Sequence, residues 1–90
     1  MELECTVYGP LRGATGEKTV TVEFGGGTVR DALAAFVAAY PRAESQLFDE
    51  EGAVRPSVRV ALDGDRVVLD ARCRPDAALA IYPAMRGGRR

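Results

Sequence analysis

The chain carries no histidine and only two cysteines, Cys5 and Cys73. Without imidazole there is no Ser-His or Cys-His catalysis, and the commonest zinc ligand is missing. Two thiols cannot hold an iron–sulfur cluster or a four-ligand zinc site within one chain, so no metal is expected. Spacing forces no acid and base together, which makes a stand-alone enzyme the least favoured reading. The residues with most chemical potential lie in Arg86-Gly87-Gly88-Arg89-Arg90. Gly87 and Gly88 lack Cβ atoms, so they fit a narrow channel and adopt unusual φ angles cheaply. Lys18 is the only lysine among twelve basic residues. If an amine of this chain accepts an acyl group, the candidate acceptor is Lys18 or the N-terminal amine.

Other reactive-looking features read more plainly. Cys5 falls on the apolar phase of an alternating run and belongs to a core. Cys73 lies between Arg72 and Arg74 in an expected loop; it reads as an incidental surface thiol, although the flanking positive charge would lower its pKa. A Cys5–Cys73 disulfide is not expected in a reducing compartment. Gly25-Gly26-Gly27-Thr28 lies between a strand and a helix but lacks the Gly-Lys-Ser/Thr element of a phosphate loop, so it reads as a flexible connector. Asp49-Glu50-Glu51 reads as a solvated turn. One Arg-Gly-Gly copy in a chain of net charge -1 is a weak RNA signal, and no nucleic-acid partner is expected.

The elements that must position these residues follow from periodicity. Ninety residues make one small domain, and 47% hydrophobic with 28% charged residues is a globular composition. Residues 2–8 alternate, with Leu3, Cys5 and Val7 on one face, and read as a half-buried strand. Gly9-Pro10 ends it, Gly13 to Gly16 form a loop, and residues 18–24 alternate again to complete a hairpin. Thr28 is a good N-cap with Asp31 three residues on, and Val29, Ala32, Leu33, Phe36, Val37 and Tyr40 fall at helical spacing. Pro41 stops that helix. Leu47 and Phe48 plug a loop or short helical turn into the core. Val58, Val60 and Leu62 mark a third strand, Asp63-Gly64 a tight turn, residues 66–69 the return, and 70–77 a loop. Leu79 and Ile81 mark the last strand, which Pro83 ends. One helix must lie across one face of the sheet to bury its apolar stripe. The expected fold is α+β, a ubiquitin-like β-grasp with a mixed sheet of four to five strands, comprising a domain over 1–83 and a flexible tail over 84–90. No apolar run approaches the ~20 residues of a membrane span. The acidic, alternating start is unlike a signal peptide. A soluble cytoplasmic protein is the expectation.

Several segments resemble one family. Tyr8-Gly9-Pro10-Leu11-Arg12 with Thr15-Gly16 resembles the start of molybdopterin-synthase small-subunit and thiamin-type sulfur carriers, a family that includes archaeal ubiquitin-like small modifiers. Thr28-Val29-Arg30-Asp31-Ala32-Leu33 resembles the family's helix opening, and residues 58–64 its central strand and turn. Ala80-Ile81-Tyr82-Pro83 running to Gly87-Gly88 resembles its last strand and tail. The length favours the molybdopterin-synthase type. The resemblance implies that an E1-like enzyme uses ATP and magnesium to adenylate the terminal glycine carboxylate. A thiocarboxylate then follows for the synthase large subunit, or an isopeptide bond to target-protein lysines. The carrier is not itself a catalyst. The tail departs from the family's Pro-Pro-Val-x-Gly-Gly, and Arg89-Arg90 follow the second glycine, so a processing protease is implied. Some seven residues beyond the last strand would reach roughly 20–25 Å when extended.

Strand phase adds a candidate surface. If the first and last strands are parallel neighbours, Tyr8 and Tyr82 both point away from the helix beside the root of the tail. Arg59 and Ala61 of the third strand are expected to flank this pair as partner-binding residues. The alternative reading is a non-conjugated β-grasp binding module that uses this sheet face and keeps its tail.

Overall fold

The sheet grows outward from two central strands whose alternate residues are wholly apolar. A computed structural model describes residues 1–82; the tail expected over 84–90 lies outside the described residues. Strand β1 (Glu2–Val7) buries Leu3, Cys5 and Val7 completely and turns Glu2, Glu4 and Thr6 the other way. Strand β2 (Thr19–Glu23) returns antiparallel with Leu3 opposite Val22 and Cys5 opposite Val20. The connection is a short helix, α1 (Leu11–Thr15), where a loop was expected. Leu11 is fully buried beneath it. Gly16 at φ +83° ends it, and the Gly16 N–H donates to Arg12 O at 2.8 Å. The buried Leu11 and that left-handed cap convert the turn into a packed element.

The main helix α2 (Val29–Ala39) starts at a reciprocal capping box. The Thr28 hydroxyl accepts from the Asp31 N–H at 3.1 Å, and the Asp31 carboxylate accepts from the Thr28 N–H at 3.0 Å. Aspartate thus performs the role usually given to glutamate or glutamine. Val29, Ala32, Leu33 and Phe36 face the sheet and are fully buried. Burying Phe36 contributes about 1.5–3 kcal/mol. Pro41 then opens a 3₁₀ turn (Pro41–Ala43) that leads into α3 (Glu44–Leu47) and the fully buried Leu47. Phe48 is half-buried and bridges Val54 across a turn in which Asp49 Oδ1 accepts from the N–H groups of Glu51 and Ala53.

Two segments read as connector and loop instead pair with each other. Strand β3 (Gly27–Thr28) runs antiparallel to β6 (Arg72–Cys73). Next to this ribbon, the N–H groups of Val29 and Arg30 donate to Ala71 O and Leu69 O at 2.9 and 3.0 Å. These are donors that a helix N-terminus leaves open, so the ribbon seats α2 as well as crossing the chain. Periodicity could not show it, because a two-residue strand has no period.

Strands β4 (Arg59–Leu62), β5 (Asp65–Val67) and β7 (Ala78–Tyr82) complete a five-stranded sheet in the order β2-β1-β7-β4-β5. β7 is parallel to β1 and antiparallel to β4. Asp63 and Gly64 at φ +51° and +90° make the tight β4–β5 turn. Asp63 also ties the turn to β7: its N–H donates to Ala78 O, and its carboxylate accepts from Ala78 N–H. The result is the mixed-sheet α+β β-grasp. Its ion pairs, such as Arg30–Asp70 at 2.7 Å, are exposed and contribute at most about 1 kcal/mol each, so burial holds the fold. Among the described residues no helix is long and apolar enough to cross a membrane.

Candidate functional site

Because β1 and β7 are parallel and in register, with Val7 beside Ile81, the residue after each buried one points to the opposite side. Tyr8 and Tyr82 therefore share the face remote from α2. The Tyr8 N–H still donates to Ile81 O at 3.3 Å, which brings the two side chains level. Their rings stack with centroids 4.5 Å apart and planes 8° from parallel. Tyr8 is half-buried, whereas Tyr82 is 40% exposed, among the most exposed large apolar side chains of the described residues. Hydrogen bonding with Tyr8 holds the Tyr82 phenol above its ordinary range, and partial burial adds to this. The plate has an apolar body and polar tips, a combination suited to a protein interface.

Cations surround the plate. The backbone bond from Val7 N–H to Lys18 O, 2.8 Å, sets Lys18 beside Tyr8, with Nζ 5.8 Å from the ring centroid. Arg59 lies directly across from Tyr82, and its guanidinium donates to Pro56 O at 2.9 Å. Ala61 is on the same face, opposite Ala80, but is only 6% exposed. It floors an open groove of about 320 Å³, lined also by Arg59, Gly64, Arg66 and Tyr82. Sequence reasoning missed Arg66. The signal was present: a two-residue turn at Asp63-Gly64 fixes the register that sets Arg66 opposite Ala61. Gly87, Gly88, Arg89 and Arg90 lie outside the described residues; Gly88 is six positions beyond Tyr82 in sequence.

The thiols behave differently from the surface. Burial pushes the Cys5 thiol up to about 12. Cys73, read as an incidental surface thiol in a loop, is instead 2% exposed within the β3–β6 ribbon. Its pKa is raised, first by burial and then by Asp63, and Arg74 offsets this only in part. Neither is a ready nucleophile. At the start of α2 the Asp31 carboxylate occupies the place an anion would take. The Thr28 N–H and hydroxyl hold it below the usual carboxylate range.

This geometry belongs to a domain whose sequence matches the ThiS family over residues 5–88. The chain belongs to the ThiS family. It is 32% identical over 87 residues to Small archaeal modifier protein 1 of Haloferax volcanii, covering 96% of this chain and all of that protein. The crystal structure of that type of protein, SAMP1 from H. volcanii, superposes with a TM-score of 0.86 at 31% identity, covering 98% of this chain and all of that one. The Amycolatopsis orientalis BexX/CysO complex contains a chain of the same fold, with a TM-score of 0.75, 24% identity, and coverage of 96% and 99%. As a ThiS-family protein the chain is of the ubiquitin-like modifier and sulfur-carrier type, a substrate of other enzymes rather than an enzyme.

Proposed function

We propose that the chain is a ubiquitin-like carrier that acts in the cytoplasm through Gly88. The observation that carries this reading is the family match, which spans the domain and runs to Gly88. Gly88 is followed by Arg89, so its carbonyl stands in a peptide bond. Hydrolysis of that bond by a processing protease frees the glycine carboxylate and separates Arg89 and Arg90 from it. An E1-like partner, using ATP and magnesium as its own co-substrates, adenylates the carboxylate. A carboxylate oxygen attacks the α-phosphorus, and pyrophosphate leaves. The acyl carbon now bears AMP, a good leaving group. A sulfide equivalent from a sulfur donor displaces AMP and leaves a thiocarboxylate, the form that would deliver sulfur to a molybdopterin synthase large subunit. A lysine amine of a target protein, attacking directly or after a thioester, gives an isopeptide bond instead.

The Tyr8–Tyr82 plate, with Arg59 beside it and Ala61 beneath the adjoining groove, is the surface on which the activating enzyme docks. Its position at the end of β7 supports this, since a partner seated there meets the chain that leads to Gly88. The similarity to a modifier protein at 32% identity supports the isopeptide branch. In that branch Lys18 is the lysine through which copies would join, because no other lysine exists.

The deciding experiment is intact and tryptic mass spectrometry on the protein from its own cells. A species ending at Gly88 is expected. Exchange of one oxygen for sulfur in that species marks the carrier branch. Gly-Gly remnants on target lysines mark the modifier branch. A Gly88–Arg89 bond that stays intact under every growth condition would overturn the proposal in favour of a non-conjugated binding module.

A further inference from the structure

The outer face of the sheet is electrically polar along its strands. At the end where β1 and β7 finish, Lys18, Arg59 and Arg66 surround the tyrosine plate and its groove. At the other end Glu2 and Glu4 of β1 share the face with Glu23 of β2, and Glu2 lies directly opposite Glu23. All six side chains belong to exposed residues. Between them the face carries small side chains, Thr6, Thr19, Ala80 and Ala61. Among the described residues, Lys18, Arg59 and Arg66 have no carboxylate within 4.0 Å, whereas Arg30 and Arg74 are paired. The N-terminal amine, 3.6 Å from Glu23, offsets part of the acidic end. The seven residues from Glu2 to Tyr8 span roughly 20 Å of strand. The screening length at physiological ionic strength is about 8 Å, so the two ends do not cancel each other and a partner meets each separately.

We infer that this face selects and orients its partner by charge. The occupant is an activating-enzyme surface that presents carboxylates beside an apolar or aromatic side chain. That side chain lies on the Tyr8–Tyr82 plate and enters the groove floored by Ala61. The carboxylates meet Arg59 and Arg66, whose planar guanidinium groups suit them. Turning the partner end for end would bring its carboxylates against Glu2, Glu4 and Glu23, so charge permits one orientation. In that orientation the acidic partner surface lies where the chain leaves β7. The inference rests on the proposed function for the identity of the partner, not for the chemistry of the face.

Two measurements test it. In the first, the chain ending at Gly88 and the E1-like enzyme of the same organism are mixed, and the association rate is followed at low and physiological salt. Arg59→Glu with Arg66→Glu should slow association on the order of tenfold at low salt and remove its fall with added salt. Arg42→Glu with Arg72→Glu makes the same charge change off this face and should stay near wild type. Equal losses in the two variants, or a wild-type rate indifferent to salt, would overturn the inference. Failure of the wild-type chain to bind or be adenylated would instead count against the proposed function. The second measurement then decides alone: amide shifts of the full chain titrated with the peptide Asp-Asp-Leu-Phe-Asp-Asp and with its lysine counterpart. Shifts at Arg59, Arg66 and Tyr82 with the acidic peptide only are expected; no shifts, or equal shifts with both peptides, would refute the inference.

Discussion

The same strands present two faces of opposite character. On the inner face Leu3, Cys5, Val7, Val20, Val22, Val60, Leu79 and Ile81 are buried against α2. On the outer face the neighbouring positions hold threonines, alanines and two stacked tyrosines, with cations at one end and glutamates at the other. A period of two lets one backbone carry both, so the buried core and the proposed docking surface fall on interleaved residues with little overlap. Substitutions should therefore separate the two properties, and each prediction probes how clean that separation is.

The largest effect belongs to the inner face. Phe36→Ala should cost about 3–5 kcal/mol in chemical denaturation, because a fully buried ring is replaced by a cavity. A loss below 1 kcal/mol would mean that the core collapses around the gap and that the inner face is less tightly packed than its burial implies. Gly27→Ala comes next. Gly27 sits at φ +144°, and an added Cβ would lie 2.6 Å from Asp31 Oδ2, the oxygen that caps α2. The strain and the lost cap should together cost about 1–2 kcal/mol by the same measurement.

On the outer face, Tyr8→Ser with Tyr82→Ser should lower stability by only about 1 kcal/mol, the scale of one aromatic pair. The same double variant should weaken activation by the E1-like enzyme. Unchanged activation would remove the plate from the docking surface, and unfolding would show that the two faces are not separable.

The smaller effects are chemical. Asp31 has its pKa lowered in the folded chain, so its contribution is present above its unfolded value and is lost as pH falls through the folded one. Below about pH 4 wild type should therefore lose stability faster than Asp31→Asn, as thermal melts across an acid series would show. Both thiols should resist a thiol-selective alkylating reagent at neutral pH until the chain unfolds, since burial keeps them protonated and covered. Rapid labelling of Cys73 in the native protein would show that the β3–β6 ribbon opens readily.

Much of the architecture was legible because long periodic segments report their own environment. The alternation of Leu3-Cys5-Val7 and of Leu79-Ile81, and the helical spacing from Val29 to Phe36, each identify an element and its buried side. The phase of the first and last strands also put Tyr8 and Tyr82 on one face, given that those strands are neighbours. Short elements were not legible. Leu11–Thr15 and the Gly27–Thr28/Arg72–Cys73 ribbon span too few residues to show a period, and their hydrogen bonds come from distant segments.

The site divides along the same line. Composition alone removed histidine chemistry, limited the thiols to two and left Lys18 as the only lysine. Local pattern alone placed the capping residues Thr28 and Asp31. Tertiary structure decided that Cys73 is buried, because a ribbon made from two remote segments covers it. It decided that Ala61, 6% exposed, forms the floor of the groove beside Tyr82. It also brought Arg66 to the groove and Lys18 to Tyr8. Side-chain period follows from the local backbone and can be read along the chain. Which faces meet depends on strand order and register, and those are set only when the whole sheet packs on its helix.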